Sequence, residues 1–371
     1  MGGTPPVAVV IPSWNCLGDL RACLDSVRGQ RDVEVELFVV DNGSEDGTGE
    51  FLAGSGVPHV SLPANRGFAA AVNLGVSRTA APLVTVLNED AVLEPDCLAR
   101  LAATLSPDPT LGGVQPLILQ LRRGLPMEPD DPAAVVYSHG QSLTRDGRAR
   151  EDGAGRPRSA TPIERREIFG VCGAACLLRR EMLEQLGGYD ESYFAFYEDV
   201  DLNVRARVTG WRFALEPGAV AWHIGNAAWR AGFRRPGADN ARLVARNRLS
   251  TQVKFMPARS IPRIAAVETG SLAKALLGRR LLATLGGKLE ALRRLPGLLE
   301  KRRRLKRSGD LGRARQWLGV GWAQGRVGPR PVPARPLLHP RQDLMAGSRP
   351  GMDAAVAPLP AEPRAGGPLR T

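Results

Sequence analysis

Residues 7–41 read VAVVIPSWNCLGDLRACLDSVRGQRDVEVELFVVD, and this stretch decides the fold class. The β-rich apolar run from Val7 to Ile11 predicts one strand, and Leu37 to Val40 predicts a second. The segment between them has apolar residues at helical spacing, namely Leu17, Leu20, Cys23, Leu24 and Val27. A strand, a helix and a second strand in this order are the unit of a parallel sheet, so the sequence predicts an α/β fold.

The same alternation continues along the chain. His59 to Leu62 predicts a third strand, the helical segment 69–80 follows, and Leu83 to Leu87 predicts a fourth strand. Polar residues stand directly after these apolar runs, at Asp41 and at Asn88-Glu89-Asp90. Open α/β sheets bind their ligands at the carboxyl ends of the strands, so we expect a binding site there.

Length and composition exclude several classes of protein. The 371 residues, 43% hydrophobic and 24% charged, suffice for one large α/β domain with an appendage. No apolar run approaches the roughly 20 residues of a membrane-spanning helix, which argues against a transmembrane protein. The start MGGTPPVAVV lacks the regions of a signal peptide, and the five scattered cysteines suit a reducing compartment, so we expect a cytoplasmic protein.

The formal net charge of +12 is concentrated at one end of the chain. Residues 1–260 contain 28 Lys+Arg and 31 Asp+Glu, whereas residues 261–371 contain 22 and 7. Arg outnumbers Lys 45 to 5 while Ala, Gly and Pro are abundant, which indicates a biased genome composition more than arginine chemistry. The basic end lacks the interleaved aromatic residues that stack on bases, so we expect no nucleic-acid partner.

Composition also predicts three parts. Residues 1–260 form the α/β domain, with an irregular excursion at 121–160 where Pro, Gly, Arg and Asp break the periodicity. Residues 261–326 predict a basic, amphipathic helical extension. Residues 327–371 are rich in Pro, Gly and Arg and predict a disordered tail.

Two strand ends carry acidic residues that suit a nucleotide site. Asp41, in VVDNGSEDGT, can accept hydrogen bonds from a base or a ribose, or can form a simple turn with Asn42. Asn88, Glu89 and Asp90 follow LVTVL, where carboxylate oxygens suit Mg²⁺ or Mn²⁺ beside a diphosphate, and an ordinary acidic turn is the alternative. The sequence has no Walker lysine and no Gly-x-Gly-x-x-Gly loop, so any nucleotide phosphates would be held through metal.

A third acidic cluster lies in FAFYEDVD, residues 194–201, at the start of a predicted helix. Glu198 and Asp199 stand beside aromatic residues, and the resulting desolvation would raise a carboxyl pKa toward the range of a general base. Acids at a helix start also simply favour the helix dipole, which is the alternative. Asp201 and Arg205 are four residues apart and are predicted to pair.

His223, in AWHIGN, is one of four histidines in the chain. It follows an apolar segment and stands two residues before Gly225, which allows close approach of the backbone. Its imidazole would complete a metal site opened by Asp90, while an ordinary satisfied polar residue is the alternative.

Six segments taken together resemble the family 2 glycosyltransferases, especially their rhamnosyltransferase-like branch. They follow the family's order over roughly residues 7–225 and read VAVVIPSWN, VVDNGSEDGT, ANRGFAAAVNLGV, LNEDAVLEPDCL, GAACLLRREMLEQLGGYDESYFAFYEDVDLNVRARVTGW and AWHIGN. The resemblance implies a GT-A fold, with one nucleotide-sugar-binding domain built on a mostly parallel mixed sheet flanked by helices. It also implies an inverting transfer of a sugar from a nucleoside diphosphate to a hydroxyl.

The resemblance assigns roles to individual residues. Those expected in the nucleotide and donor pocket are Pro12, Ser13, Asn15, Asp41, Asn42, Asn65, Gly67, Phe68, Asn73, Asn88 and Glu89. Asp90 would be the metal ligand of the family's Asp-x-Asp motif and His223 a further ligand. Asp199 would be the base that deprotonates the acceptor, with Glu198 as the other acid of the catalytic pair. Asn88 departs from the motif, whose first position is Asp, so metal binding rests on Asp90 and His223.

The resemblance further suggests substrates and a cofactor. The donor would be dTDP-L-rhamnose or a UDP-hexose, the acceptor a cell-envelope or lipid-linked glycan, and the cofactor divalent Mg²⁺ or Mn²⁺. The alternatives are a sugar-1-phosphate nucleotidyltransferase and a noncatalytic nucleotide- or polysaccharide-binding module. A nucleotidyltransferase would normally carry a Gly-rich basic loop where this chain reads PSWNCLGD.

The basic stretch 261–307 raises a question of location. Leu281, Leu285, Leu289 and Leu292 form a helical stripe ahead of KRRRLKR at 301–307. A basic amphipathic helix suits an anionic membrane surface, so we expect peripheral attachment to the inner face of the plasma membrane. A helical appendage that packs on the core is the alternative.

Overall fold

The predicted strand–helix–strand unit opens the chain. The computed structural model describes residues 4–122, 127–161, 164–225 and 236–319. In it β1 spans Val7–Ser13, α1 spans Leu17–Arg28 and β2 spans Val35–Asp41. β1 and β2 pair in parallel along their whole length. α1 buries four of the five apolar residues at helical spacing, namely Leu20, Cys23, Leu24 and Val27, while Leu17 is half-buried.

Two further parallel strands extend this unit. β2 is followed by α2 (Thr48–Gly54), β3 (His59–Ser61), α3 (Phe68–Ser77) and β4 (Leu83–Leu87). β3 pairs with β2 and β4 pairs with β1, both in parallel. α3 approaches β1 closely because Gly75 has no side chain, since a Cβ there would lie 2.3 Å from a methyl of Val10.

The other half of the sheet comes from segments with weaker sequence signals. The elements that follow β4 in the chain are β5 (Ala91–Leu93), α4 (Cys97–Leu105), β6 (Leu111–Gln120), β7 (Val136–Ser138), β8 (Gln141–Leu143), β9 (Ala149–Glu151), β10 (Arg166–Ile168), β11 (Ala175–Arg179), α5 (Arg180–Leu186), α6 (Glu198–Thr209) and β12 (Arg212–His223). The long strand β6 escaped prediction because Gly112, Gly113 and Pro116 interrupt its apolar pattern. Packing explains the first glycine, where a Cβ would lie 2.3 Å from the sulfur of Met182.

The main sheet is mixed and has the order β10-β12-β6-β11-β4-β1-β2-β3, with β5 on β12 and β7 on β6. The neighbours β12–β6, β4–β1, β1–β2 and β2–β3 are parallel, and the other three pairs along this path are antiparallel. The expected α/β class with a mostly parallel mixed sheet is confirmed. Because β4 and β12 run in the same direction, both end at the same edge of the sheet.

The predicted excursion at 121–160 is more ordered than its sequence indicated. β7 lies within it, and β8 and β9 form an antiparallel hairpin whose pairs run from Gln141 opposite Glu151 to Leu143 opposite Ala149. A short 3₁₀ helix follows at Arg158–Ala160. Strands of three residues are too short to show a period-2 pattern, which is why the hairpin was not predicted.

The predicted helical extension is present, and α7 precedes it. The helices are α7 (Pro236–Phe255), α8 (Ile261–Leu277), α9 (Leu281–Arg293), α10 (Leu295–Ser308) and α11 (Leu311–Arg315). Apolar residues from α6, α7, α10 and α11 share one core, which includes Val200, Val204, Val208, Phe255, Leu305 and Leu311. The extension therefore packs directly against α6, across the boundary expected at residue 260.

Among the described helices, none combines the length and the apolar composition that a bilayer span requires. Residues 320–326 of the predicted extension and the tail expected at 327–371 lie outside the described part of the chain.

Candidate active site

A cavity of about 290 Å³ lies at the edge of the sheet where β1 and β4 end. Most residues expected in the site line it, namely Pro12, Ser13, Asn42, Asn65, Gly67, Phe68, Asn88, Glu89, Asp90, Glu198, Asp199 and His223. These residues come from distant parts of the sequence. They come together because the strands β1, β2, β4 and β12 all end at one edge of the sheet.

Three of the expected site residues lie outside the lining of this cavity. Asp41, the last residue of β2, is buried and accepts a hydrogen bond from the backbone N–H of Ser44 at 3.0 Å. Asn15 accepts one from the N–H of Glu45 at 2.7 Å. Both side chains thus shape the turns around the cavity, and their contact with a nucleotide stays a prediction.

Asn73 is also outside the cavity lining, on α3. Its side chain accepts a hydrogen bond from the N–H of Tyr189 at 2.8 Å and donates to the carbonyl of Tyr189 at 2.9 Å. It also donates to the Glu191 carboxylate at 3.0 Å. Asn73 therefore fixes the segment that leads into the acidic cluster at 198–199.

One asparagine organises the loop before α3. Asn42 Nδ2 donates to Asn65 Oδ1 at 3.0 Å and to the carbonyl of Gly67 at 3.2 Å, and Asn42 Oδ1 accepts from the N–H of Arg66 at 2.9 Å. Gly67 has φ of 90°, and a Cβ there would lie 2.6 Å from the ring of Phe194. Only glycine meets both conditions, so the loop lies close against the aromatic segment across the cavity.

The two predicted metal ligands are in contact. His223 Nε2 lies 2.9 Å from Asp90 Oδ1, and both side chains are buried. Asp90 Oδ2 accepts a hydrogen bond from the N–H of Gly225 at 3.1 Å, and Asn88 Nδ2 lies 3.2 Å from His223 Nε2. The contact between Asp90 and His223 results from the antiparallel pairing of β12 with β5, which places His223 opposite Ala91.

The residues at this edge fit a divalent cation. Asn88 Oδ1 and His223 Nδ1 are buried atoms without a hydrogen-bond partner among the described residues. Carboxylate, amide oxygen and imidazole are the ligand types that Mg²⁺ and Mn²⁺ sites use. Burial and the neighbouring Asp90 carboxylate raise the pKa of Glu89 to about 8. Asp90, His223 and Asn88 are therefore the residues that would hold the ion.

Asp199 lies at the first turn of α6 and is held by hydrogen bonds. Its Oδ2 accepts from the N–H of Gly173 at 3.1 Å and from Gln141 Nε2 at 2.9 Å, while Oδ1 accepts from the N–H of Val200 at 2.7 Å. Burial raises the pKa of this carboxyl, and the hydrogen bonds oppose the rise. The result is an oriented carboxylate on the cavity wall, as a general base requires.

Glu198 differs from its neighbour. It is buried, and its Oε2 has no hydrogen-bond partner among the described residues. Burial and the adjacent Asp199 raise the pKa of Glu198 well above its usual range. Its environment therefore disfavours the charged form. The predicted pair of Asp201 and Arg205 on the same helix is confirmed, with 2.6 Å between Oδ2 and Nε.

Several lining residues were not predicted from the sequence. They are Tyr137, Gln141, Ala149, Glu151, Cys172, Gly173, Ala174, Ala195, Val200 and Val244. Glu151 is the most informative, because burial and Asp199 raise its pKa to about 7. A carboxylate oxygen of Glu151, the Cys172 sulfur and a carboxylate oxygen of Asp199 lie within 4.8 Å of one another. Gln141 and Glu151 lie in the excursion at 121–160, where no periodicity marked them.

The aromatic segment at 194–197 has an unusual backbone. Phe194, Phe196 and Tyr197 have positive φ values of 66°, 66° and 70°. Bulky residues rarely adopt this conformation, which costs of order 1 kcal/mol each. Asn247 on α7 holds the segment, since its Nδ2 donates to the carbonyls of Tyr193, Ala195 and Phe196 at 2.9, 2.7 and 2.7 Å.

The sequence of this chain is similar to those of known proteins. Residues 8–187 match the family model described as glycosyl transferase family 2. The chain is 32% identical over 250 residues to the N-acetylglucosaminyl-diphospho-decaprenol L-rhamnosyltransferase of Mycobacterium tuberculosis (strain ATCC 25618 / H37Rv), covering 59% of this chain and 76% of that protein. It is 33% identical over 115 residues to a chondroitin synthase of Pasteurella multocida (strain Pm70), covering 30% of this chain and 12% of that protein.

Solved structures with a similar fold include two enzyme complexes. One is GalNAc-T7 with UDP, GalNAc and Mn²⁺, at 17% identity and a TM-score of 0.49, covering 67% of this chain and 51% of that one. The other is the mannosyltransferase PcManGT from Pyrobaculum calidifontis with GDP-Man and Mn²⁺, at 19% identity and a TM-score of 0.45, covering 82% and 86%.

The family match and the mycobacterial relative, of which the chain covers more than two thirds, decide between the alternatives that the sequence left open. A nucleotidyltransferase is not supported. The chain belongs to glycosyl transferase family 2, on its rhamnosyltransferase-like branch, and is a nucleotide-sugar-dependent glycosyltransferase.

Proposed function

We propose that this enzyme transfers a sugar with inversion from a nucleoside diphosphate to a hydroxyl of a cell-envelope or lipid-linked glycan. The observation that carries the proposal is the arrangement of two polar groups around one cavity. Asp199 lies on the wall formed by α6, and the contacting pair Asp90 and His223 lies at the ends of β4 and β12. A base and a diphosphate site in one cavity are the two parts that a single displacement needs.

Asp199 is the base of the proposed reaction. Its carboxylate takes the proton of the acceptor hydroxyl as that oxygen attacks the anomeric carbon and the bond to the diphosphate breaks. The backbone N–H groups of Gly173 and Val200 hold the carboxylate in place. General base catalysis of this kind contributes on the order of 10²–10⁴-fold to the rate.

The donor lies on the other side of the cavity. The loop fixed by Asn42, together with Ser13, lines the pocket proposed for the nucleotide and the sugar. Asp90, His223 and Asn88 would hold a divalent cation there. When bound, such an ion neutralises the negative charge that develops on a diphosphate leaving group. The cation would then neutralise the negative charge of the donor at this edge of the sheet. This agrees with the small excess of acidic over basic residues in residues 1–260.

We propose L-rhamnose from dTDP-rhamnose as the transferred sugar, with a hexose from a UDP-sugar as the second candidate. Support comes from the mycobacterial relative, whose name specifies an L-rhamnosyltransferase acting on an N-acetylglucosaminyl-diphospho-decaprenol. A polyprenyl-diphosphate-linked saccharide is accordingly the first acceptor to test.

The test is a panel of nucleotide sugars, with dTDP-L-rhamnose, UDP-hexoses and GDP-mannose, offered with the lipid-linked acceptor and Mn²⁺ or Mg²⁺. Transfer from dTDP-L-rhamnose at least tenfold faster than from the others is expected. Transfer from a UDP-hexose alone would replace the donor assignment. Absence of transfer from every donor, with nucleotide-sugar hydrolysis also absent, would contradict the proposed function.

We also propose that α8 to α10 rest on an anionic membrane, which would place the enzyme on the inner face of the plasma membrane. Large hydrophobic side chains are exposed on these helices, namely Ile261, Leu276, Leu277, Leu282, Leu285, Leu289, Leu292 and Leu299. Leu277 and Leu282 are 86% and 85% exposed. The exposed side chains of Arg279 and Arg280 lie between them in the sequence, so apolar and positive groups occur together, as anionic lipid surfaces favour.

Liposome cosedimentation tests this attachment. Vesicles with anionic lipid should bind the wild-type protein, and Leu277→Ser with Leu282→Ser should weaken binding severalfold. Met127→Ser is the matched control, because Met127 is an exposed hydrophobic residue outside these helices. A deletion after residue 260 is unsuitable here, since it removes Leu305 and Leu311 from the core. Equal binding by the double variant and the wild type would reject the membrane surface.

A further inference from the structure

Two carboxyl groups in the cavity are joined through one amide. Gln141 Nε2 donates to Asp199 Oδ2 at 2.9 Å and to Glu151 Oε1 at 3.1 Å. Gln141 lies on β8 and Glu151 on β9, opposite one another in the hairpin. The hairpin therefore brings both residues to the acid that we propose as the base.

The orientation of the Gln141 amide is fixed from behind. Its Oε1 accepts a hydrogen bond from Asn203 Nδ2 at 2.9 Å. Asn203 is itself bound to the backbone of Val171, donating to the carbonyl at 2.8 Å and accepting from the N–H at 3.2 Å. If the Gln141 amide were reversed, its oxygen would face the carboxyl groups of Asp199 and Glu151, and its NH₂ would face the NH₂ of Asn203. Both hydrogens of Gln141 Nε2 are thus directed at Asp199 and Glu151.

Glu151 is held on its other side as well. Its Oε2 accepts a hydrogen bond from Ser138 Oγ at 2.6 Å. Because its Oε1 accepts from Gln141, Glu151 has a fixed position beside Asp199. A carboxylate oxygen of each acid lies within 4.8 Å of the other. Two carboxyl groups at this separation in a half-buried site repel each other when both are ionised.

We infer that Gln141 and Glu151 are positioning residues that set the protonation of Asp199, Gln141 favouring its ionised form and Glu151 opposing it. The inference rests on the proposed role of Asp199 as the base. Gln141 stabilises the carboxylate by donating a hydrogen bond to it, and Glu151 adds a negative charge beside it. The balance of the two adjusts the base to the pH at which the reaction runs.

The other titratable groups that act on Asp199 come from every element around it. They are Glu198 on α6, Cys172 before β11, Cys176 on β11, Tyr137 on β7, and Tyr189 and Tyr197 before α6. Burial raises the pKa of each of these six groups, which disfavours their charged forms. Glu151, whose pKa is raised to about 7 by burial and Asp199, is the acid that Gln141 joins directly to Asp199.

The pH profile of kcat/KM tests the inference, because its acidic limb reports the ionisation of the base in the free enzyme. Gln141→Met keeps the length of the side chain and removes the donated hydrogen bond, so the limb should move up by about one pH unit. Glu151→Gln removes the charge, so the limb should move down by up to about one pH unit. A glutamine at 151 can offer its oxygen to Gln141 and its NH₂ to Ser138, which preserves the packing.

Arg150→Gln is the matched control, since Arg150 lies on the same strand with an exposed side chain. Its acidic limb should coincide with that of the wild type. If Gln141→Met fails to fold, Glu151→Gln still tests the inference. An acidic limb of kcat/KM that does not move in that variant overturns it. Shifts of both variants in the same direction also overturn it. Failure of the proposed function has a different signature, because the Asp199→Asn variant would then be as active as the wild type.

Discussion

Lys301 Nζ lies 2.7 Å from Asp190 Oδ1 and 2.8 Å from Asp190 Oδ2, which ties α10 to the segment that precedes Glu198 and Asp199. Lys254 of α7 donates to the same carboxylate at 2.9 Å and also contacts the buried Asp201 of α6. Part of the positive charge of the C-terminal helices is therefore used inside the protein. Lys301, which composition alone assigned to an appendage, thus contacts the segment that leads into α6.

Asp190→Asn should make this dependence visible through pH. Burial opposes ionisation of Asp190, but Lys254 and Lys301 hold its pKa well below its usual range. A lowered pKa stabilises the fold above the unfolded value of about 3.9, and the contribution is lost as pH falls through the folded pKa. Urea unfolding should show a loss of about 2 kcal/mol in the variant at pH 7, and a smaller difference at pH 3.

Asp130→Asn is the control for this measurement, because the Asp130 side chain is 97% exposed and its pair with Arg158 contributes little. It should unfold like the wild type at both pH values. A difference for Asp190→Asn that is as large at pH 3 as at pH 7 would show that the ion pairs do not cause the effect.

Leu305→Ala should destabilise the whole enzyme. Leu305 on α10 is buried among Val204, Val208 and Phe255, so its truncation leaves a cavity and should cost about 2–4 kcal/mol in unfolding free energy. Leu299→Ala, on the same helix with a largely exposed side chain, should cost below about 1 kcal/mol. Equal effects of the two substitutions would show that α10 is not part of the core.

The first half of the sheet could be predicted because its residues obey local rules. Val7 to Ile11 and Leu83 to Leu87 are short apolar runs followed by polar residues, and α1 repeats its apolar residues every three or four positions. Such patterns follow from burial on one face of a helix or on both faces of a strand, so they are visible without any tertiary information.

The rest of the site depends on contacts between distant segments. The proximity of His223 to Asp90 comes from the pairing of β12 with β5, which leaves no periodic trace in the sequence. Gln141 and Glu151 reach Asp199 through a hairpin with strands of three residues. Phe194 has a positive φ although it is not a glycine, so the sequence does not indicate this conformation. Asn247 of α7 supports it by donating to the carbonyl of the preceding Tyr193. Tertiary contacts of this kind override local propensity.

Asn247→Ala should impair the acceptor side of the cavity. Asn247 is the common donor to three carbonyls of the segment 193–196, whose positive-φ conformation is unfavourable without support. We expect kcat/KM for the acceptor to fall about tenfold, mainly through KM, because one lost donor of this kind is worth about 1.4 kcal/mol.

Asn247→Asp is the informative companion variant. Aspartate has the same shape but offers no N–H donor, and its charge would face three carbonyl oxygens, so it should lose at least as much activity as alanine. An Asp variant with wild-type kinetics would mean that Asn247 acts through its volume and not through its hydrogen bonds.

Asp90→Ala should weaken donor binding only when metal is present. The side chain of Asp90 contacts His223 and would supply the carboxylate ligand of the cation site. Calorimetric titration with the nucleotide sugar should show at least a tenfold loss in Mn²⁺, on the order of 1.4 kcal/mol, and no difference in a chelating buffer. Asp96→Asn, a surface acid paired with Arg100, should bind like the wild type in both buffers. Unchanged binding of Asp90→Ala in Mn²⁺ would remove Asp90 from the metal site.

The adjacent acids Glu198 and Asp199 should give opposite results when each is replaced by its amide. Asp199 accepts three hydrogen bonds that favour its charged form, whereas Glu198 has a buried oxygen without a partner among the described residues and a pKa raised well above its usual range. Asp199, whose hydrogen bonds orient it and favour its charged form, is therefore the better candidate for the base. Asp199→Asn should fold normally and lose 10²–10⁴-fold in kcat, since an amide cannot take the acceptor proton. Glu198→Gln keeps the size of the side chain and changes an oxygen that has no hydrogen-bond partner among the described residues, so it should lose less than about tenfold. A reversed order, with Glu198→Gln inactive and Asp199→Asn active, would assign the base to Glu198, and thermal unfolding of both variants shows whether either loss is only structural.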